Sequence, residues 1–231
     1  MDRLDTFLAA TDDASPEATA LCTLTLHMLE HLAPTLFSRR GLAAVQQRAL
    51  QRCAAIACSF DPPLDADRLQ AGVDAWYCRH LKGLPHRPPD GEALRGALQG
   101  LADDGQLIYA WLIGEQAARC GLDVRVPVAP RPFLGWAPTH DAYWLTHVVM
   151  LDSDYFSRPL THPDAATWGD ALAGLAPELQ RTPNDDLAGE VALCLRFLGR
   201  DAAPLLDLLG RAGPTDDAHA QATALLALSV E

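Results

Sequence analysis

Residues 136–156 read WAPTHDAYWLTHVVMLDSDYF, and the fold of this chain is decided by how that stretch is understood. Its polar residues recur every seven positions: Thr139 and Thr146, then His140, His147 and Asp154. Seven residues are nearly two turns of an α-helix, with a drift of about 20° per repeat. The spacing predicts a helix from Pro138 or Thr139 to about Phe156, with His140, His147 and Asp154 in one stripe. Neighbours in that stripe stand roughly 10 Å apart at about 1.5 Å rise per residue. Tyr143, Trp144, Leu145, Val148, Val149, Met150 and Leu151 lie between them. Titratable groups in so apolar a helix need partners, because an unpaired buried polar group costs about 2–7 kcal/mol.

Helical periodicity continues on both sides of this stretch. Ser15 precedes Pro16 and Glu17, a capped start for a helix carrying Leu21, Leu24, Leu26, Leu29 and Leu32 and stopping near Pro34. Further helices are expected at about 42–58, 65–82, 92–101, 104–120, 164–176, 185–198 and 202–210, with a short one at 2–11 and a last one running to near Val230. Asn184 caps the helix that begins at Asp185, and Asp216 or Asp217 opens the last one. APELQRTPND reads as a loop. Residues 122–138 hold Pro127, Pro130, Pro132 and Pro138 and read as an extended crossing segment; VRVPV alternates like a strand, but Pro127 confines it to an edge. The expectation is an all-α protein, one domain over 1–231, built as an array of about ten antiparallel helices, with an α/α toroid-like closure as one arrangement.

The chain carries 30 acidic and 18 basic residues, a formal charge of −12. That argues against nucleic acid or an anionic membrane as main partner. No run approaches a membrane span. Cys22, Cys53, Cys58, Cys78, Cys120 and Cys194 are scattered, without CxxC, and read as reduced core thiols of a cytoplasmic protein. Walker A, GxGxxG and GxSxG patterns are missing, so no cofactor is expected.

Three stretches together resemble an uncharacterised all-helical bacterial family associated with natural-product gene clusters. They are the run from Tyr143 through Thr146 and His147 to Asp154, the run Asp186-Leu-Ala-Gly-Glu190, and the closing helix that begins at His219. The resemblance spans mainly residues 139–228. It carries over His147, Asp154, Glu190 and His219, and implies a biosynthetic role toward a small molecule. One departure stands out: the family tends to place glycine two residues after the aspartate, where this chain has Phe156.

Imidazoles near neutral pKa suit proton transfer, and a carboxylate orients them and raises their basicity. The reading is therefore a cofactor-independent acid–base enzyme, such as an intramolecular cyclase acting on a polar small molecule. His147 is its proton acceptor, Asp154 or Glu190 the orienting carboxylate, and His140 or His219 a second donor. Arg158 steadies an anionic group, and Trp136 and Tyr143 flank the substrate. The competing readings are a buried polar network that only joins helices, and a non-catalytic accessory subunit bound to a protein partner of the same pathway. No metal is expected at the stripe, because helical ligand pairs sit three or four residues apart. His27-Met-Leu-Glu30-His31 matches the short H-x-x-E-H pattern but lacks an identifiable third ligand outside it.

Overall fold

A computed structural model describes residues 2–12, 15–61, 63–126, 138–181 and 184–230. Among these residues the chain is all-helical, without strands. Twelve helices follow in order: α1 (Arg3–Ala10), α2 (Pro16–Leu32), α3 (Pro34–Arg39), α4 (Leu42–Cys53), α5 (Ala66–Leu81), α6 (Gly91–Asp103), α7 (Leu107–Arg119), α8 (Pro138–Asp152), α9 (Ala165–Arg181), α10 (Asp185–Phe197), α11 (Ala203–Ala212) and α12 (Ala218–Ser229). Among the described residues no helix is long and apolar enough to cross a membrane.

Side-chain caps explain where several helices start. Ser15 Oγ accepts from Ala18 N at 3.1 Å, Asn184 Oδ1 from Leu187 N at 3.1 Å, and Asp217 Oδ1 from His219 N and Ala220 N at 2.9 and 3.1 Å. Each such cap is worth about 1 kcal/mol. Some boundaries differ from the sequence expectation. The second helix stops at Leu32, just before Pro34 as expected, but Pro34 then opens a further short helix, α3, at its first position, where a missing N–H costs nothing. The expected loop around Pro177 is instead the last turn of α9, which Leu179 anchors in the core at 5 % exposure. Residues 122–126 are irregular, and the rest of the proline-rich segment up to Pro138 lies outside the described residues. All six cysteines are free thiols.

The chain divides into two compact units. The first comprises Met1–Asp12, Thr25–Leu42 and Arg131–Glu231. Its centre is α10, in which residues 187–195 are all buried. A helix apolar on every side must be surrounded, and α10 packs on α8, α9, α11 and α12. The second helix of this centre is α12, buried over residues 220–227 and also packed on α1. The other unit comprises Asp13–Leu24 and Ala43–Pro130. Its core joins Leu69, Val73 and Trp76 of α5 to Leu94, Leu98 and Leu101 of α6 and Ile113 of α7, closed by Val124. Gly72 lets residue 58 cross α5, since a Cβ there would lie 2.8 Å from Cys58 Cα.

The end of α8 is the main departure from the predicted stripe. The helix stops at Asp152. Asp154, Tyr155 and Phe156 then take φ values of +46°, +54° and +65°. Left-handed backbone costs a non-glycine residue roughly 1–2 kcal/mol. Glycine, which the resemblance would put at 156, adopts it freely. Local bonds offset the cost. Ser153 Oγ donates to Val149 O at 2.8 Å and accepts from Phe156 N at 2.9 Å, and Arg158 N donates to Ser153 O at 3.1 Å. Burial adds to this: Tyr155 and Phe156 are 3 % and 4 % exposed, and the Phe156 ring meets Phe197 edge-on at 4.9 Å. Asp154 is therefore off the helix, and the stripe of His140, His147 and Asp154 does not form.

Candidate functional site

Two carboxyls on α10, Asp186 and Glu190, are four residues apart and so share a face. They meet His219 of α12 and Tyr143, Thr146 and His147 of α8. His219 Nδ1 lies 2.7 Å from Asp186 Oδ1. The Tyr143 hydroxyl donates to Asp186 Oδ2 at 2.8 Å. Glu190 is 2 % exposed, and its Oε2 lies 2.6 Å from Thr146 Oγ1. His147 Nδ1 donates to Tyr143 O at 2.7 Å and stands 3.9 Å from Glu190 Oε2. A carbonyl only accepts, so Nδ1 carries the hydrogen and Nε2 of neutral His147 keeps the lone pair. The distance to Glu190 allows charge attraction but is too long for a hydrogen bond.

The electrostatics separate the two acids. Burial acts to raise Asp186, but the hydrogen bond and charge of His219, with the Tyr143 hydroxyl, bring it below its ordinary value. Burial raises Glu190, which His147 opposes and Asp186 reinforces; the net direction is upward. His219 shows half its side chain to solvent, while its Nδ1 edge faces inward. Crowding of that ring opposes its charge, yet Asp186 and then Glu190 hold it at about 9. Burial and Asp186 together push the Tyr143 hydroxyl up. At neutral pH the outcome is a charged Asp186–His219 pair beside a carboxyl that gives up its proton reluctantly. The Thr146 hydroxyl donates to Glu190 Oε2 at 2.6 Å and also lies 2.9 Å from Tyr143 O.

Four residues expected from the sequence thus come together: Tyr143, His147, Glu190 and His219. The others do not join them. His140 is exposed on the first turn of α8. Asp154 pairs with Arg158, Nε to Oδ2 at 2.6 Å. Trp136 lies outside the described residues. Asp186 is the residue that sequence reasoning passed over: it enters there only as the first residue of the run that ends at Glu190, with no role of its own. The available signal was its i,i+4 spacing to Glu190 behind the Asn184 cap.

Two groups have metal-ligand chemistry among the described residues: Asp186, Glu190 and His219, and His27, Glu30 and His31, each with donor atoms within 4.8 Å of one another. In the first, the 2.7 Å contact between Asp186 and His219 is already a proton-sharing bond. In the second, His27 Nε2 faces Asp154 O at 3.3 Å. Five of the six thiols are held protonated by burial, which pushes Cys58 to about 11 and Cys120 to about 12 and raises Cys53, Cys78 and Cys194.

A cavity of about 620 Å³ opens elsewhere in the same unit, lined among others by His31, Phe156, Arg158, Phe197 and Arg200. It adjoins the C-terminal end of α10, whereas Asp186 and Glu190 sit at the N-terminal end. No family model, curated protein or solved structure matches this chain.

Proposed function

We propose that this chain is a small acid–base enzyme working on a polar small molecule in a specialised-metabolite pathway. The observation that carries this reading is the convergence of Asp186, Glu190 and His219 within 4.8 Å, with their proton affinities driven apart. Titratable groups held at different affinities are what paired acid and base catalysis requires. In a ring closure, His147 Nε2 takes the proton of the attacking hydroxyl or amine, and Glu190 favours the imidazolium so formed. The new bond closes the ring as the leaving group departs. His219, kept charged by Asp186, gives that group its proton. Tyr143 and Thr146 hold the two acids in place.

The test is turnover. Purified chain is incubated with polar compounds that each carry an internal nucleophile and a leaving group, and products are followed by mass spectrometry. The expected result is a cyclised product whose rate falls at least a hundredfold in Glu190→Gln and in His219→Gln. A product formed equally fast by both variants removes the cluster from the chemistry.

A second reading is a non-catalytic accessory subunit. It is favoured by the satisfaction of the cluster within the protein and by the distance of the cavity from it. Against a greasy docking face, Leu228 is the one exposed large apolar side chain among the described residues. Stable co-purification with a pathway protein, together with no turnover across the panel, would turn the assignment this way.

A further inference from the structure

We infer that the 620 Å³ cavity is a binding site for a small organic carboxylate with an apolar body, gripped by Arg158 and Arg200. This site is independent of the acid–base cluster and can hold even where that cluster does no chemistry.

The left-handed turn builds one wall of it. Reversing the chain after Ser153 sets three side chains to work together: Phe156 and Arg158 line the cavity, and Asp154 braces Arg158. Strain kept in a folded protein is concentrated where ligands are clamped, and here it has such a use. Asp154 Oδ2 takes the Nε of Arg158 at 2.6 Å. That leaves the two terminal nitrogens of the guanidinium as the planar edge that grips a carboxylate bidentately.

The opposite wall is built differently. Arg200 gives its Nη2 to Asp170 Oδ1 at 2.7 Å and to Ala166 O at 3.4 Å, which leaves Nη1 as its outward donor. Gly169 lets α9 lie flush on it, since a Cβ there would stand 3.1 Å from Arg200 Nε. Most of the remaining lining is apolar, with Phe156, Phe197, Leu160 and Leu198 beside the polar His31 and Ser157. The volume falls in the range of about 300–1,000 Å³ usual for small-molecule sites.

Charge decides the ligand class. Two cations are each matched by one carboxylate, so the walls are nearly neutral before a ligand enters. A single negative charge held by the Arg158 fork and by Nη1 of Arg200 is favoured over a phosphate dianion, which would bring two charges close to Asp154 and Asp170. The apolar floor then asks for a carbon skeleton rather than a bare ion.

The experiment is titration calorimetry of the full chain with 2-naphthoate. One saturable site is expected, weakened at least tenfold in Arg158→Gln and in Arg200→Gln. Arg158→Lys should lose nearly as much, because lysine cannot bind bidentately. The neutral 2-naphthalenemethanol should bind at least tenfold more weakly than naphthoate. Both arginines are more than a third exposed, so the variants should fold, which circular dichroism checks. Heat that never saturates, a dissociation constant unchanged in both glutamine variants, or displacement of naphthoate by equimolar inorganic phosphate would each overturn the assignment.

Discussion

Gly189 of α10 lies directly against Thr223 of α12, so closely that a Cβ at position 189 would stand 2.4 Å from Thr223 Oγ1 and 2.9 Å from its carbonyl carbon. About one turn earlier on each helix, Asp186 and His219 meet at 2.7 Å. The absence of a side chain at 189 is what brings the carboxylate and imidazole into reach of each other.

Gly189→Ala should therefore separate α10 from α12. The overpacking cost is about 1–3 kcal/mol, readable in urea denaturation. The same substitution should lower the His219 midpoint as its contact with Asp186 lengthens. A variant of wild-type stability would mean that the helices yield easily at this point.

His219 should titrate at about 9 by NMR of its ring signals, and Asp186→Asn should bring the midpoint down. The linked stability has a definite sign. A histidine raised above its ordinary 6.5 adds stability that is complete below pH 6.5 and is lost as pH rises through about 9. Solvent screening at a half-exposed ring limits the effect to about 1 kcal/mol. Denaturation midpoints that stay flat from pH 6 to 10 would contradict it.

Asp186 acts in the opposite window. Its lowered pKa stabilises the fold above the ordinary carboxylate range, and that contribution disappears as pH falls through the lowered value. Acid unfolding of Asp186→Asn should accordingly be less steep than that of the wild type.

Glu190 separates charge from shape. Glu190→Gln keeps the side-chain volume and an oxygen to accept from Thr146, so the change should cost under about 1 kcal/mol. Glu190→Ala leaves a void and strands Thr146, at a cost of about 2–4 kcal/mol. Equal losses in both would mean that a charged Glu190 matters to the fold.

At the left-handed turn, two glycine substitutions should diverge. Asp154→Gly relieves the backbone by roughly 1–2 kcal/mol and gives up only a partly exposed ion pair worth at most about 1 kcal/mol, so stability should hold or rise. Phe156→Gly gains the same relief but loses a buried ring against Phe197, for a net loss of about 2–3 kcal/mol. Thermal denaturation compares them directly.

The helices themselves were legible because their signals are local. Ser15, Asn184 and Asp217 cap where their side chains suggest, and the apolar spacing of α5 and α10 is visible residue by residue. Residues 153–156 gave only an indirect warning, in the glycine that the resemblance puts at 156. Ser-Asp-Tyr-Phe contains no glycine to mark a left-handed turn, so the seven-residue period seemed to run on to Asp154. Pro177 misled in the opposite sense, because burial of Leu179 keeps α9 helical past it.

Tyr143, His147, Glu190 and His219 could be singled out as polar groups in apolar helices that must find partners. Local signals reach that far: the helical class, the helix starts, and a short set of polar groups in need of partners. Which partner each one found was decided only by tertiary structure. Asp186 joined the cluster through the close approach at Gly189, and Asp154 left it for Arg158 through three strained residues. The reason is physical. Caps and periodicity act within one or two turns of a helix, whereas meetings between helices and the closure of a cavity depend on packing among residues far apart in the chain.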